Sequence, residues 1–395
     1  MDGHGVPSDP SLGHLAGSKV ENHDVAATTA TQGQPSTQQH TTHSSEYPET
    51  NVIMVDAPHD MLLEVDMADH DSAIGDVTTS YEFHFRTSSS QHYDVGESYS
   101  PTTSSTGSIV SLSRRAFSDS SKKTEEPTTV TRKDTEQERL DLQHQLFLLT
   151  FGNKLHLAPT EELHQVLDIG TGTGIWCIEF ALRNPQSHVT GTDLSPIQPE
   201  LTPPNCTFEV DDAEDEWVFP HQFDLVHGRT LASCFKDPQK VINSATASIK
   251  PGGWLEFQDI ILPARGFDDS YTGSYVDQWC TKLVALAARA GRDFSYSQHY
   301  RQMFQAAGLV DIQERHFVWP TSPWCKGEHL KKLSLWAQKD FLDGIEGMSM
   351  ALMTRVGGMS REEVLEFLEK VKEDARNKNM HGFMPIIVVM GRKAS

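Results

Sequence analysis

The sequence predicts an α/β fold, a doubly wound and mostly parallel sheet carried behind a long acidic tail. Three observations predict it. Short apolar runs alternate with helical stretches from about residue 165 onward, the first of those runs ends in a glycine-rich turn, and the first third of the chain has no comparable pattern.

From Met1 to about Pro127 the chain is dominated by Ser, Thr, Asp, Glu, His and Gln, with apolar residues scattered and seldom periodic. Such a segment buries too little surface to offset its ordering entropy. Residues 1–130 are therefore expected to be a disordered tail, and residues 131–395 one folded domain. The first 130 residues hold 6 Lys and Arg against 19 Asp and Glu and the rest 27 against 36, for a net charge of -22. Both parts are acidic. That sign disfavours direct binding to nucleic acid, which needs cations to neutralise phosphates, and to an anionic membrane face.

Within the tail, the clusters Thr87 to Ser90 and Ser100 to Thr106 can serve as phosphorylation sites or as a solvated spacer. Arg114-Arg115 and Lys122-Lys123 are candidates for nuclear import, although doublets this short also arise by chance. The five cysteines are far apart, odd in number and without a C-x-x-C pair, a pattern of reduced intracellular thiols. The amino terminus lacks a basic region followed by an apolar run, and no stretch approaches 18 consecutive apolar residues. A soluble protein of the cytoplasm or nucleus is the expectation.

Order is predicted to start near Thr135 with an entrance helix carrying Glu138, Leu140, Leu142, Leu146, Phe147 and Leu148 and ending before Gly152. Gln165 to Ile169 reads as a buried parallel strand and Ile175 to Arg183 as a helix. The alternation continues with strands at His188 to Thr192, Thr207 to Val210 and Phe223 to His227. A helix at Lys240 to Ile249 and a strand at Gly253 to Asp259, launched by the turn Lys250 to Gly253, come next. Ser274 to Ala290 and Gln298 to Ala307 read as helices, and Val310 to Trp319 and Pro385 to Arg392 as the last strands. The connection between those strands, about residues 320–383, contains helical stretches near His329 to Phe341 and Arg361 to Lys378. A connection that long needs its own structure. It reads as a helical insertion beside the substrate opening, or as a pair that buttresses the sheet.

The strongest chemical signal is Val166-Leu167-Asp168-Ile169-Gly170-Thr171-Gly172-Thr173-Gly174, a strand running into a glycine-rich turn. Dinucleotide sites use G-x-G-x-x-G because a pyrophosphate sits on the helix terminus. Here the spacing is G-x-G-x-G. With Asp168 two positions before the first glycine, it suits S-adenosylmethionine, which has no phosphate and whose ammonium a carboxylate can hold. Asp193, about 23 residues past Gly170, ends the second strand where a carboxylate accepts ribose hydroxyls. Asp211-Asp212-Ala213 follows the third strand, where Asp212 is placed to accept from the adenine amino group or to cap a helix starting at Ala213.

His227 and Arg229 emerge at the carboxyl end of the fourth strand, where open α/β sheets bind ligands. They are the candidates to line the space between cofactor and acceptor, with His227 as a base and Arg229 alternatively a structural ion-pair partner. Trp176, Trp254 and Phe257 read as core rather than as cofactor stackers. No His pair or carboxylate cluster has metal-ligand spacing, so a metal-assisted mechanism is not expected.

Together with Gln137 to His144, Gly172 to Trp176, Asp193 to Pro199, Pro203-Pro204-Asn205 and Arg301-Gln302-Met303 before Ala306-Ala307-Gly308, these motifs resemble the fungal LaeA-like branch of the class I methyltransferases. The resemblance covers about Asp134 to Lys393. It implies a seven-stranded Rossmann-like sheet with one antiparallel strand, and binding of S-adenosylmethionine. On it, Asp168, Gly170, Thr171, Gly172, Gly174, Asp193, Leu194, Asp212 and Ala213 form the cofactor set. The loop reads G-T-G-T-G where many relatives have G-C-G-T-G, an exchange of one small residue that leaves the cofactor expectation intact.

The family implies two roles. Some members methylate small molecules in biosynthetic clusters, which predicts a closed, largely apolar acceptor pocket roofed by the insertion. Others are regulators of secondary metabolism and development working with velvet-type partners, which predicts an exposed apolar patch outside the cofactor cleft. A nicotinamide-dependent oxidoreductase on the same sheet is disfavoured by the glycine spacing. The reaction expected is in-line displacement at a sulfonium methyl, with alignment as the protein's main contribution. Limited proteolysis should remove residues 1 to about 125 before it cuts the remainder; equal resistance of both parts would contradict the tail reading.

Overall fold

Four of the five residues of Gln165–Ile169 (β1) are buried, as a strand flanked by parallel neighbours requires. The computed structural model describes residues 53–54, 62–63, 129–160 and 162–395. The phosphorylation and import candidates of the tail lie outside those residues. Ile53–Met54 and Leu62–Leu63 pair as two short antiparallel strands.

After β1 come His188–Asp193 (β2), Cys206–Val210 (β3), Phe223–Arg229 (β4), Ile249–Ile260 (β5), Val310–Pro320 (β6) and Gly382–Arg392 (β7). They form one sheet in the order β3-β2-β1-β4-β5-β7-β6, with a two-residue strand, Arg265–Gly266, added beside β7. Strand β7 runs antiparallel to both β5 and β6. The doubly wound sheet with one reversed strand is thus the architecture of the chain. Its register lines up three polar residues across the central strands: Asp168 of β1 lies opposite His227 of β4, which lies opposite Glu256 of β5.

The helices are Thr129–Thr150 (α1), Ile175–Arg183 (α2), Pro238–Ser248 (α3), Tyr275–Arg289 (α4), Tyr300–Ala306 (α5), Glu328–Ala351 (α6) and Arg361–Arg376 (α7). Helix starts follow local chemistry. Asp237 accepts from the Lys240 amide ahead of Pro238 in α3, and Ser274 accepts from the Asp277 amide in α4. Ser360 and Glu363 exchange the two bonds of a capping box at α7. Alternation along β1 splits the core: Val166 faces Trp176, Phe180, Leu146 and Phe147 of α2 and α1, whereas Leu167 and Ile169 face the side of α3 and α5.

Three boundaries differ from the sequence reading in instructive ways. Helix α1 begins at Thr129, six residues before the sequence reading starts it, although Thr129, Val130, Thr131 and Asp134 are weak helix formers. Strand β5 begins at Ile249, since Lys250 to Gly253 loop out as a bulge between the Phe223–Ile249 and Leu225–Trp254 pairs rather than ending the strand. No helix starts at Ala213; Asp212 instead accepts from the Glu214 amide at 3.0 Å in a turn.

Residues of α7, Val364, Leu368 and Val371, pack into a core with Trp279 and Leu283 of α4, while α6 leans on α1. Among the described residues no helix is long and apolar enough to cross a membrane. Phe304 of α5 is fully buried with its ring 5.6 Å from that of Phe257. Phe304→Ala should lower unfolding stability by about 3 to 5 kcal/mol, measured by urea denaturation.

Candidate functional site

The glycine turn is held open from below and from the side. The Thr171 amide donates to Thr192 O and the Gly174 amide to Thr171 O, both at 3.0 Å, so β1 hands over to α2 in a tight loop. Gly174 has φ +80° and its missing Cβ would strike the Phe208 ring, so α2 can start here only on a glycine. Gly172 has φ +60° and faces open space, with Leu140 at 3.8 Å the sole neighbour of an added Cβ.

Asp193, at the end of β2, is buried and accepts from the Gly172 amide and the Ser195 amide, each at 2.9 Å. Burial pushes its carboxyl up, against those backbone donors. The segment after it folds over the loop: Gln198 donates to Gly172 O at 2.7 Å and Gln137 of α1 donates to Ile197 O at 3.3 Å. By register Val210 sits opposite Asp193, and Val210 and the adjoining Leu194 are exposed apolar surfaces at the carboxyl edge of the sheet.

A cleft of about 560 Å³ opens over this turn, walled by Asp168, Gly170 to Thr173, Trp176, His227 and Arg229 and by Arg139 and Gln143 of α1. On its floor the fully buried His227 ring is bonded through Nδ1 to Asp168 Oδ1 at 2.7 Å and lies flat on Trp176, centroids 3.9 Å apart and planes within 4°. Trp176 is core, in agreement with the sequence reading, with its indole N–H donating to Leu155 O at 2.9 Å. Because a carboxylate accepts, Nδ1 is the protonated nitrogen. His227 Nε2 is buried with no protein partner among the described residues. A glycine cradle with open space above it and an orphaned buried nitrogen fit a cleft built for a polar ligand.

Arg229 donates through Nη2 to His144 Nδ1 at 3.1 Å, and His144 Nε2 bonds Glu179 at 2.6 Å. An arginine cannot accept, so His144 is a neutral ring whose Nε2–H donates to Glu179. Burial, with Arg229 beside it, lowers the His144 pKa to about 4.

A second cavity, about 920 Å³ when the solvent space at its open mouth is included, adjoins the cleft and shares Arg139, Gln143 and Thr230 with it. Its other walls are mostly apolar, with Trp279, Leu283, Phe294 and Trp319 on one side and Ala337, Phe341 and Met348 of α6 above. Most polar groups there are already satisfied. Trp279 N–H donates to Ser349 and Trp319 N–H to Thr150, each at 2.8 Å. Asp259 accepts from the Leu231 and Ile260 amides and from Tyr300. At the wall shared with the cleft, Asp340 of α6 accepts from Arg139 at 2.8 Å and Gln143 at 3.2 Å. Thr230 there has φ +58°, unusual for a branched residue, and donates to Gln143.

His227 and Arg229, expected from the sequence to line the space between cofactor and acceptor, line the glycine-loop cleft and are absent from the walls of the second cavity. Their side chains follow Asp168 on the α1 face of the sheet, where α1 covers them. Of the expected cofactor set, Asp168, Gly170, Thr171 and Gly172 line the cleft, whereas Asp193, Leu194, Asp212 and Ala213 lie along the carboxyl ends of β2 and β3 outside it. Sequence reasoning misses Arg139, Gln143 and Asp340 as site residues. The signal for the first two was present, since polar residues four apart interrupt the otherwise buried face of α1. Among the described residues no group of three or more His, Cys, Asp or Glu is placed to hold a metal ion.

A family model described as a methyltransferase domain matches residues 142–314. The chain is 34% identical over 263 residues to a probable methyltransferase, tdiE, of Emericella nidulans, covering 66% of this chain and 83% of that one. It is 33% identical to the methyltransferase pytC of Aspergillus terreus, covering 65% and 81%. It is 32% identical to the secondary metabolism regulator LAE1 of Cochliobolus heterostrophus, covering 66% and 88%.

The unfolded chain binds the His144 proton near the ordinary pKa of 6.5 and the folded chain near 4, so stability is present above 6.5 and is lost as pH falls from 6.5 toward 4. His144→Gln should flatten that part of the acid limb, read as urea midpoints between pH 7 and pH 4.

Proposed function

We propose that this chain, which belongs to the fungal LaeA-like family of S-adenosylmethionine-dependent methyltransferases, transfers the donor's methyl group to a small, largely apolar acceptor seated in the chamber beneath α6. The observation that carries the reading is that chamber: walled on one side by α6, lined largely by aromatic and aliphatic side chains, and sharing Arg139, Gln143 and Thr230 with the glycine-loop cleft. Residues 131–395 are on this reading the transferase domain, with about 320–383 the insertion that closes it.

The donor's amino-acid end would occupy the cleft over Gly170, Thr171 and Gly172 beside Asp168, its ribose would meet Asp193, and its adenine would lie against Leu194, Asp212 and Ala213. Bound there, it supplies a methyl group on a sulfonium, an electrophile that needs alignment more than activation. Arg139, Gln143 and Thr230, common to both cavities, mark where the acceptor atom enters. Asp340 is the carboxylate at that wall; burial raises its pKa while Arg139 and Gln143 pull against the rise, so it suits a proton acceptor for an O–H or N–H nucleophile. The acceptor's lone pair forms the new bond to carbon, the C–S pair leaves with sulfur, and the proton goes to Asp340.

A protein acceptor or a regulatory role with velvet-type partners is the second reading, favoured by the similarity to LAE1, named a secondary metabolism regulator, and to the Emericella nidulans laeA, named a protein-methionine methyltransferase. One set of measurements separates them. Calorimetry should show S-adenosylmethionine binding to the full chain, weakened about 10- to 100-fold by Asp193→Ala through loss of a charge-assisted bond. Met348→Trp, which fills the chamber, should leave that binding intact and abolish labelled methyl transfer to a panel of flat phenols and aromatic amines. Transfer to proteins alone, undiminished in Met348→Trp, would sink the small-molecule reading.

A further inference from the structure

The cavity beneath α6 carries an uneven charge. Among the described residues its walls hold one cation, Arg139, and two carboxylates, Asp259 and Asp340. Arg139 is already saturated: Nε and Nη2 bond Glu136 at 3.0 and 2.8 Å, and Nη1 bonds Asp340 at 2.8 Å. One guanidinium thus answers two carboxylates, and Asp259 lies outside that group. The partners of Asp259 are the Leu231 and Ile260 amides and the Tyr300 hydroxyl, each at 2.8 Å, and none of them carries a charge. The residue is 1% exposed, and burial pushes its carboxyl up to about 7 against those donors, the behaviour of an enclosed anion with no cation beside it.

The rest of the lining favours the same sign of ligand. Trp279, Phe294, Trp319 and Phe341 bring four aromatic rings to the cavity, and both indole N–H groups are spent inside the framework, on Ser349 and Thr150. Aromatic faces attract an ammonium through their quadrupole, and more strongly where water is excluded. An anionic ligand would instead meet two carboxylates and a guanidinium that is already shared, so its desolvation would go uncompensated.

We propose that the acceptor is an amine on an aromatic body, held as its ammonium among these rings with Asp259 and Asp340 as the counter-charges. The assignment rests on the reading of this cavity as the acceptor site and names the substrate class it takes. The oxygens of Asp259 are already bonded, so it acts through its charge and selects the sign of the ligand rather than its pose. Asp340, at the wall shared with the cleft, takes the proton. The ammonium gives one N–H proton to the Asp340 carboxylate, the freed lone pair forms the N–C bond to the donor's methyl, and the C–S pair leaves with sulfur. The charge balances: an ammonium and a sulfonium enter beside one carboxylate, and an N-methylammonium leaves with a neutral thioether and a neutral carboxyl.

The test compares ligands that share a body and differ in charge. The full chain, with S-adenosylhomocysteine present and above pH 7 so that Asp259 is ionised, is titrated calorimetrically with phenylpropylamine, phenylpropanol and phenylpropanoate. The ammonium should bind at least about tenfold more tightly than the alcohol, and the carboxylate more weakly than either. Asp259→Asn, which keeps the shape and removes the charge, should cut the amine's advantage to less than about threefold and leave the alcohol within about twofold of its wild-type affinity. Equal affinity of the wild type for amine and alcohol, or a preference for the carboxylate, would overturn the amine assignment even if no variant folds. So would an undiminished advantage in Asp259→Asn. Met348→Trp tests the reading beneath it: binding of all three should be lost there, and binding that persists, or none by the wild type, would instead overturn this cavity as the acceptor site.

Discussion

Parallel register between β1 and β4 sets Asp168 opposite His227, and the 2.7 Å contact this produces orders the rest of the cleft. The carboxylate fixes which imidazole nitrogen carries the proton, and the ring is then pinned flat against Trp176, whose own N–H is tied to the Leu155 carbonyl. Trp176 is on the first turn of α2, immediately after the glycine loop. A single cross-strand pair thus connects the strand that enters the loop, the helix that leaves it and the neighbouring strand. Slipping β4 by one residue would turn His227 and Arg229 onto the opposite face, away from Asp168 and into the apolar layer of Leu167 and Phe257.

A second buried contact sets the boundary between the two cavities. Arg139 of α1 and Asp340 of α6 come from positions 201 residues apart, and Gln143 supplies the other carboxylate oxygen with a donor. A buried ion pair of this kind contributes little net stability after desolvation, but removing one member leaves an uncompensated charge. What it does accomplish is position. It holds the insertion against the entrance helix at one polar point, while Phe147 and Trp319 provide the apolar contact nearby with ring centroids 4.8 Å apart.

The cavities on either side of that wall are chemically unlike. The cleft offers backbone amides, a carboxylate, a guanidinium and an orphaned nitrogen. The chamber offers ring faces and aliphatic groups, with its indole N–H groups and Asp259 already bonded within the framework. The two surfaces suit ligands of opposite polarity.

Much of this was legible along the chain. The periodicities predicted the order and type of the seven long strands and the seven helices, though not the two-residue strand Arg265–Gly266, and the Asp168 to Gly174 run marked the loop, because strand alternation and glycine at positive φ are local properties of a sequence. The bulge at Lys250 to Gly253 was not, since Pro-Gly-Gly serves equally as a turn or as a bulge and its neighbour strands decide which. Nor was Asp340, an ordinary acidic residue in an amphipathic helix until α6 folds down onto Arg139. Sequence by itself determined the secondary structure, the glycine cradle and the family. The tertiary structure decided that His227 and Arg229 line the cleft and that α1 and α6 meet at the wall between the two cavities. The physical reason is that ion pairing, desolvation and cavity shape arise between residues distant along the chain, and no local pattern encodes them.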